Sequence, residues 1–474
     1  MIGMGTEKDI IVAVELGSAA IRAVAGRREP DGNMHVLAVA VKTDEYAIRR
    51  GVVDNINRTA QALQELARQL GERLDMQVTR VYVGLGGQSL HTVLNTIDYP
   101  LDQKTIITDE IIQRIDDMNR AQQYPNMDIL QAEPQEYRID ARGGVTTPVG
   151  MEARNIKATF LNVLADVRLR SNIESSVESA GLRLAEDDIL IAPLALGRRL
   201  LTDQERKSGC ALVDIGAATT TVIIYSRNTL RHLVVIPLGG DNATSDIVRY
   251  GAQAEGAESL KKKFGTAYCQ DSREGEGTDD EMLSLSYDRS VSKLQLKEIV
   301  EARYQEILAN VWEHVRPYCD SQFSGIIFTG AGSRIPDLAS AFVKYTKTSK
   351  LVRVYRGLPA GIVLDPGCAP SDGVCLDTLY SLLLSGRETC VAEKPQPVHQ
   401  DVLFPEEEEA GAQGDSGAGR QPQGGADAGT AEPGASAAPR GEKRKRAGLG
   451  GKLRRAFNVF KGMLEEEEDK DSGA

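Results

Sequence analysis

Apolar segments of strand length occur in the same order near the start of the chain and again in its second half. Apolar runs of strand length bounded by Gly and small polar residues indicate β-strands. They predict a hairpin bent at Leu16-Gly17-Ser18 and a third strand after it, and then the same three-strand order again. The predicted strands are residues 9–14, 20–26 and 34–41, and residues 210–214, 220–225 and 233–237. A pattern repeated at domain-scale distance indicates two related lobes.

Helical periodicity follows each group of strands. Residues 57–74 place apolar side chains at i, i+3, i+4, i+7 and i+11, which is one face of a helix. Residues 296–315 predict a long amphipathic helix, and residues 324–329 predict a short buried strand. Strands followed by helices, twice, predict an α/β body of two similar lobes.

Composition supports a folded body and excludes some partners. The 474 residues are 41% hydrophobic and 26% charged, and this length allows two or more cores. The net charge of −12 argues against nucleic acid as the main partner, because phosphate binding needs a basic surface. The six cysteines form no CxxC pair, which favours reduced thiols in a cytosol. The N-terminus does not predict a signal peptide, and no run of about 18 apolar residues predicts a membrane span.

The composition changes abruptly near residue 394. Residues 405–448 contain no Leu, Ile, Val, Met, Phe, Tyr or Trp and are rich in Gly, Ala, Pro, Gln and charged residues. Such a segment cannot bury enough apolar surface to offset the entropy lost on ordering. We therefore predict a disordered linker at residues 394–442 and a distinct element at residues 443–474.

The terminal element has the pattern of a helix that lies on a membrane surface. At about 100° per residue its apolar side chains fall within an arc of roughly 80°, and Lys452 near the edge of the arc can extend toward water. Residues 443–464 carry eight basic residues and no acidic one, so anionic lipid should attract them. The alternative is a helix that docks in a protein groove. The predicted membrane-contacting residues are Leu449, Lys452, Leu453, Arg454, Arg455, Phe457, Phe460, Lys461 and Leu464.

Loops of very small residues follow an acidic residue at matching places in the repeat. The segments are IVAVELGSAAIRAVAG at residues 11–26 and ALVDIGAATTTVIIY at residues 211–225, and Glu15 and Asp214 take the same position in each. Small residues let backbone N–H groups approach a phosphate, and threonine hydroxyls add donors. The two carboxylates could hold a hydrated Mg²⁺ that bridges phosphate oxygens. For each loop alone, the alternative is an ordinary hairpin turn.

A third glycine loop changes the interpretation of the other two. Residues 324–342, SGIIFTGAGSRIPDLASAF, predict a strand, a Thr-Gly-Ala-Gly turn and a helix with Pro336 near its first turn. Gly330 and Gly332 would let backbone lie against a flat ligand such as adenosine. Alone, this segment could be a plain strand-to-helix turn. The three loops together predict one nucleotide clamped between the lobes.

These loops, in this order and spacing, resemble the phosphate and adenosine loops of the actin–chaperone–sugar kinase superfamily. Within it, the chain is most similar to the FtsA family of bacterial cell division proteins. One similarity is an insert that follows VYVG at residues 81–84, runs to about residue 164 and contains EPQEYRIDARGGVTTPVGMEAR. Another is RHLVVIPLGGDNATSDI at residues 231–247. The resemblance covers roughly residues 8–386 and the extreme C-terminus.

The resemblance implies a site for ATP and Mg²⁺, with Glu15 and Asp214 as the metal residues. Many relatives have three glycines where this chain has Gly216, Ala217 and Ala218, and the added methyl groups should narrow the approach of a phosphate. For Lys261 the alternative is a solvated helix end before a Gly265 cap. The implied nucleotide-binding residues are Gly17, Ser18, Arg22, Asp214, Gly216, Thr219, Thr220, Gly239, Gly240, Glu258, Lys261, Gly330, Ala331 and Gly332.

The same resemblance predicts how the body is divided. The first actin-like lobe takes residues 8–83 and 165–205, and an FtsA-type inserted subdomain takes residues 84–164. The second lobe takes residues 206–393, and the chain returns to the first lobe near the end of this range.

Three functions fit such a body: a filament-forming membrane adaptor of the FtsA type, an ATP-dependent small-molecule kinase, and a chaperone-like ATPase. A chaperone would carry a folded substrate domain after the body. A kinase needs a general base, for which Asp187 or Asp188 stays open, and has no use for a basic amphipathic tail. The adaptor accounts for the insert, the linker and the tail together.

For the adaptor, the resemblance implies a set of partners. The protein would form a homopolymer on anionic lipid, at the cytoplasmic face of the cell membrane at the division site, and would be at most a slow ATPase. The smaller subdomain of the second lobe would bind the C-terminal peptide of FtsZ through a surface that includes Arg303 and Glu306. The insert would contact later division proteins. The alternative for Arg303 is a solvated helix residue.

Overall fold

The structure is a computed structural model of the chain, and it describes residues 9–44, 46–187, 189–269, 281–286, 289–370 and 374–393. The predicted linker, the predicted membrane-surface tail with Leu449 to Leu464, and Asp188 lie outside the described residues. In the described part of the chain, no helix is both long and apolar enough to cross a bilayer.

The sheet of the first lobe is built on the hairpin that the first small-residue loop predicts. Its elements up to the insert are β1 (Ile10–Leu16), β2 (Ile21–Arg28), β3 (Met34–Lys42), β4 (Ile48–Arg49), β5 (Val52–Val53), α1 (Ile56–Leu74), β6 (Gln77–Val78) and β7 (Arg80–Leu85). β2 pairs antiparallel with both β1 and β3, and β7 pairs parallel with β1. Helix α1 begins after Asn55, whose side chain accepts a hydrogen bond from the backbone N–H of Arg58. It buries Leu63, Leu66 and Leu70, as the apolar period predicts.

The insert has a small core of its own. Its elements are β8 (His91–Ile106), α2 (Asp109–Arg120), β9 (Met127–Ile139), β10 (Arg142–Val145) and β11 (Glu152–Asp166). The strands form an antiparallel sheet in the order β10-β9-β11-β8, and α2 covers one face of it. Ile97, Ile115 and Phe160 are among the buried residues of this core.

The chain then passes along the first lobe before it enters the second. The connecting elements are α3 (Val167–Ser179), β12 (Arg183–Leu184), β13 (Leu190–Ile191), α4 (Ala192–Leu200) and α5 (Asp203–Ser208). β12 and β13 both pair parallel with β7. Thr202 and Glu205 form a capping box that starts α5.

The second lobe repeats the strand arrangement of the first. Its elements are β14 (Cys210–Ile215), β15 (Thr220–Ser226), β16 (Thr229–Ile236), α6 (Gly240–Tyr250), α7 (Ala254–Phe264), β17 (Met282–Ser286), β18 (Arg289–Ser292), α8 (Lys293–Val315), β19 (Gly325–Thr329), α9 (Leu338–Thr346) and β20 (Leu351–Val354). β15 pairs antiparallel with β14 and β16, and β19 pairs parallel with β14, just as β7 does with β1. The predicted two-lobed α/β class is therefore confirmed.

The end of the body returns to the first lobe. The last described elements are β21 (Ile362–Leu364), α10 (Asp377–Ser385) and β22 (Val391–Ala392). β21 pairs with β3 and β22 pairs with β6. α10 packs on β1, β2 and α4, while α4 also contacts β15 of the second lobe. There Gly197 faces the Tyr225 ring, which a Cβ atom on Gly197 would approach to 3.0 Å.

Strand β16 starts earlier than the apolar pattern predicts. The pattern places its start at residue 233, whereas β16 begins at Thr229. Arg227 and Asn228 both take positive φ angles, 55° and 61°, and so form the two-residue type of hairpin turn. The tight turn extends the pairing of β15 and β16 through polar residues that the apolar pattern passes over.

The sheet of the insert continues into the sheet of the second lobe. His91 of β8 lies opposite Val234 of β16. The Thr92 hydroxyl accepts a hydrogen bond from the N–H of Leu233 at 3.0 Å and donates one to the carbonyl of Leu233 at 3.2 Å. The resulting strand order is β10-β9-β11-β8-β16-β15-β14-β19-β20. The insert branches from the first lobe in sequence, and one of its strands, β8, meets β16 of the second lobe at a single residue pair.

Candidate nucleotide-binding site

The first small-residue loop joins β1 to β2 and is too tight to accept a side chain at its first glycine. A Cβ atom on Gly17 would lie 2.8 Å from the carbonyl oxygen of Ala20 and 3.2 Å from Nη1 of Arg22. The Ser18 hydroxyl accepts a hydrogen bond from the N–H of Gly51 at 2.9 Å. Arg22 extends back toward Glu15, its partner in the β1–β2 register. The loop therefore lies beside one guanidinium and one carboxylate.

The second small-residue loop joins β14 to β15 and is held by the glycines that follow β16. The N–H of Gly216 donates to the carbonyl of Thr219 at 2.8 Å, and the N–H of Gly240 donates to the carbonyl of Gly216 at 2.9 Å. Gly239 packs so closely that a Cβ atom there would lie 2.4 Å from the Ala217 carbonyl oxygen. The structure thus brings Gly216, Gly239 and Gly240 together, as the resemblance implies.

Thr220 differs from the expectation for this loop. Its side chain is fully buried, and its hydroxyl donates to the carbonyl of Leu238 at 2.8 Å. The hydroxyl hydrogen is already used to hold the loop to the end of β16. Thr220 therefore supports the loop and is not a phosphate donor, whereas Thr219 at the turn is only partly buried.

The third loop, Gly330 to Arg334, packs directly on the second. Gly330 has a φ angle of +87°, and a Cβ atom on it would lie 2.2 Å from Oδ1 of Asp214. A Cβ atom on Gly332 would lie 2.5 Å from Cγ2 of Ile215. A side chain on Gly332 would therefore be directed at the end of β14. Both glycines are required for the packing of the two loops.

The helix after the third loop begins later than predicted. Residues Ala331–Arg334 form a turn of 3₁₀ helix, and α9 starts only at Leu338. Pro336 lies before the helix and not in its first turn, because Asp337 takes a positive φ of 63° and reverses the chain ahead of α9.

Lys261 and Glu258 of α7 join the glycine loops to α6. The Lys261 ammonium donates to the carbonyl of Gly240 at 3.0 Å and to the Thr244 hydroxyl at 2.9 Å, and it lies 2.6 Å from the Glu258 carboxylate. Burial would raise the pKa of Glu258, but the bonds from Lys261 and Thr244 outweigh it and hold that pKa low. Lys261 is buried, so a solvated helix end before Gly265 is excluded.

Three carboxylates lie close enough to interact electrostatically where the two lobes face each other. Burial raises the pKa of Asp214 to about 7, and the nearby carboxylates of Glu15 and Asp377 add to the rise against a hydrogen bond from Thr378. Burial also raises the pKa of Glu15, although the Arg22 guanidinium opposes the rise and Asp377 adds to it. Asp377 accepts a hydrogen bond from the Thr329 hydroxyl at 2.6 Å. The electrostatics of this place favour an added cation.

Asp377 is a site residue that the sequence did not predict. This residue begins α10, far along the chain from β1 and β14, and in sequence it looks like an ordinary acidic residue at a helix N-terminus. The available signal was its position just before the apolar run LYSLLL in the segment that returns to the first lobe.

The residues present fit a hydrated cation better than a closed metal cage. Within the described ranges, no group of three or more His, Cys, Asp or Glu side chains is arranged to hold a metal ion. Oε2 of Glu15 is nonetheless buried without a hydrogen-bond partner, and the nearest guanidinium nitrogen of Arg22 is 3.6 Å away. Mg²⁺ usually keeps several waters and takes few protein carboxylates. An unpartnered carboxylate oxygen beside Asp214 is suited to that mode of binding.

The predicted partner residues lie on α8, which packs against α6. Nε of Arg303 donates to Oδ2 of Asp246 at 2.6 Å, and Nη1 of Arg303 pairs with Glu306. The side chain of Arg303 is 19% exposed. It is therefore not a freely solvated helix residue, and its two carboxylate partners hold the guanidinium in a fixed place at the surface.

Two lobes with the same strand order, glycine loops at equivalent hairpins and an inserted subdomain define an actin-like α/β protein. A solved structure of a PilM–PilN type IV pilus biogenesis complex shares this fold. Its TM-score is 0.55, with 15% sequence identity, and the match covers 79% of this chain and 97% of that chain.

The comparison of sequences identifies the family. The model described as Cell division protein FtsA matches residues 211–373, and that of the SHS2 domain inserted in FtsA matches residues 87–164. Cell division protein FtsA of Pseudomonas aeruginosa is 29% identical over 330 residues, which are 69% of this chain and 78% of that protein. The FtsA protein of Escherichia coli K12 is 26% identical over 345 residues, or 71% and 81% of the two chains. The chain belongs to the FtsA family of actin-like cell division proteins, which confirms the resemblance.

Proposed function

We propose that this protein is an ATP-binding membrane adaptor that polymerises on the cytoplasmic face of the cell membrane and anchors the FtsZ ring at the division site. The single observation that supports it most is the meeting of Glu15 and Asp214, from equivalent strands of the two lobes, beside glycine loops. ATP with Mg²⁺ would supply the positive charge these carboxylates need and would fix the lobes relative to each other. The insert would recruit later division proteins.

Each residue of the proposed ATP site would have a separate role in binding. Backbone N–H groups of the two loops, other than that of Gly216, would bind phosphate oxygens, and Glu15 and Asp214 would hold the waters of Mg²⁺. Lys261 would act indirectly, because its ammonium binds Gly240, Thr244 and Glu258. When bound, Mg²⁺ supplies charge neutralisation between phosphate and carboxylate.

Assembly is the direct test of the adaptor. Full-length protein with ATP and Mg²⁺ on a bilayer that contains anionic lipid is expected to form ordered filaments, because a closed pair of lobes presents constant surfaces to the next copy. Negative-stain electron microscopy measures filament length with ATP, with ADP and without nucleotide. Filaments of equal length and order without nucleotide would show that ATP does not control assembly.

The second lobe is the proposed binding surface for the C-terminal peptide of FtsZ. Arg303 is held at the surface of α8 by Asp246 and Glu306, and these pairs use its Nε and Nη1 atoms. A guanidinium has five N–H donors, so a peptide carboxylate could bind to those that remain. A fixed guanidinium loses less entropy on binding than a mobile one, and charge-assisted pairing is the stronger kind of hydrogen bond.

Arg303→Glu is expected to weaken binding of the FtsZ peptide by at least about tenfold, because it replaces an attractive pair by repulsion. Fluorescence anisotropy of a labelled peptide measures the affinity. Arg316→Glu is the matched control, since Arg316 follows α8 immediately and pairs with Glu313 at the far end of the helix. Unchanged affinity in Arg303→Glu would mean that the peptide binds elsewhere.

A further inference from the structure

Tyr304 of α8 is buried with its hydroxyl directed at the third loop. The residue is 1% exposed, and its hydroxyl donates to the carbonyl of Gly332 at 2.8 Å. Burial raises the pKa of the phenol, and the carboxylates of Glu258 and Asp241 raise it further. The hydroxyl therefore keeps its proton at neutral pH and remains a donor. It lies where α6, α7, α8 and the third loop come together.

The third loop depends on support from outside, because its own backbone is permissive. Gly330 has a φ angle of +87°, and glycine reaches several backbone regions at little cost. Ser333 donates from its N–H and its hydroxyl to the carbonyl of Gly330, at 3.2 and 2.7 Å. Those two bonds join residues of the third loop only to each other. The Tyr304 hydroxyl instead fixes the turn to a long helix of the second lobe.

This support bears directly on the other two glycine loops. A Cβ atom on Gly240 would lie 3.7 Å from the Cα atom of Gly332. The third loop is therefore in contact with the glycines that follow β16. The Lys261 ammonium donates to the carbonyl of Gly240 and forms an ion pair with Glu258. A shift of the Gly332 carbonyl would therefore move the backbone next to Gly240.

We propose that Tyr304 is a positioning residue for the nucleoside, which it serves through Gly332 without touching the ligand. The proposal rests on the ATP site proposed above. Without the hydroxyl, the third loop exchanges among several conformations and only a fraction of molecules can accept the nucleoside. The apparent dissociation constant then rises by the inverse of that fraction.

Tyr304→Phe in the full-length protein removes the hydroxyl and nothing else. ATP affinity is expected to fall about five- to twentyfold. The loss should be in the association rate of a fluorescent ATP analogue in stopped flow, with the dissociation rate changed less than about twofold, because the bound loop is the same. A residue that only stabilised the fold would lower the melting temperature without changing the association rate.

Tyr345→Phe is the matched control. Tyr345 lies on α9, and its hydroxyl donates to Glu301 of the same helix α8. This variant is expected to lose a comparable amount of thermal stability and to bind ATP at the wild-type rate. A wild-type association rate in Tyr304→Phe, or an equal loss in Tyr345→Phe, would overturn the role of Tyr304 alone. Absence of ATP binding by the wild-type protein would overturn the proposed ATP site and this inference with it.

Discussion

Replacing Asp214 by asparagine is expected to weaken the binding of ATP with Mg²⁺ by at least about tenfold, and to stabilise the nucleotide-free protein at pH 8. Both effects have one cause. An ionised carboxylate in a partly buried place beside Glu15 and Asp377 is unfavourable without a cation and favourable with one. The variant removes the unfavourable charge from the free protein and the favourable one from the complex.

The raised pKa of Asp214, about 7, sets the direction of the pH dependence. The unfolded chain releases this proton near pH 4, whereas the folded protein holds it to about pH 7. The free energy of unfolding therefore falls as the pH rises between these values, and the contribution is complete below about pH 4 and lost above about pH 7. Three pKa units give a ceiling of about 4 kcal/mol, and partial exposure to water reduces the expected effect to about 1–3 kcal/mol. Asp214→Asn should remove this contribution of Asp214 to the pH dependence of the free energy of unfolding.

Urea denaturation at pH 5 and pH 8 measures the stability effect, and titration calorimetry with ATP and Mg²⁺ measures the affinity. Glu133→Gln is the control, because burial raises the pKa of Glu133 as well, but on β9 of the insert. It should leave ATP affinity unchanged. Equal ATP affinity in wild type and Asp214→Asn would contradict the placement of Mg²⁺ beside Asp214.

Loss of the terminal element is expected to abolish binding to anionic vesicles. Residues 443–464 carry eight basic residues and no acidic one, and each basic residue near such a surface contributes about 1 kcal/mol. Phe457 lies within the apolar arc of the predicted helix, so Phe457→Glu should place a charge in the lipid interface and reduce binding by about tenfold or more. The acidic run that follows, from Glu465 to Glu468, would stay in water and partly offset the attraction.

Co-sedimentation with vesicles of anionic lipid tests this with a truncation after Gly441 and with Phe457→Glu. Asn458→Glu is the matched control, because it adds the same charge on the polar side of the predicted helix. It should retain most of the binding. If the truncated and Phe457→Glu proteins pellet as well as wild type, the terminal element does not bind the membrane.

The repeated strands and the loops between them could be predicted because their signals are local. A short apolar run, then Gly17 or Gly216 and other small residues, defines each hairpin within about 15 residues of sequence. The bounds of β1, β14 and α1 differ from the prediction by one or two residues. The family resemblance added the order of the loops and the insert.

The parts that could not be predicted depend on contacts between distant segments. Asp377 reaches Glu15 and Asp214 only because the chain returns to the first lobe. Tyr304 fits the apolar face of α8 and shows no sign in sequence that its hydroxyl meets Gly332. Thr220 belongs to a donor-rich motif, yet its hydroxyl is used by Leu238. Local pattern gives residue type and spacing, but tertiary packing decides which polar group is free.

The pairing of β8 with β16 has a mechanical consequence. β8 meets β16 at one residue pair, His91 opposite Val234, so a tensile force applied to the insert would reach the second lobe in part through that contact. Strands β14 and β15 end at the loop that begins with Gly216. The insert is also joined covalently to the first lobe at both of its ends, between β7 and β8 and between β11 and α3, and these connections would carry most of the load. Tension on the insert would therefore act on both lobes at once, and so on the spacing between the loops at Gly17 and Gly216.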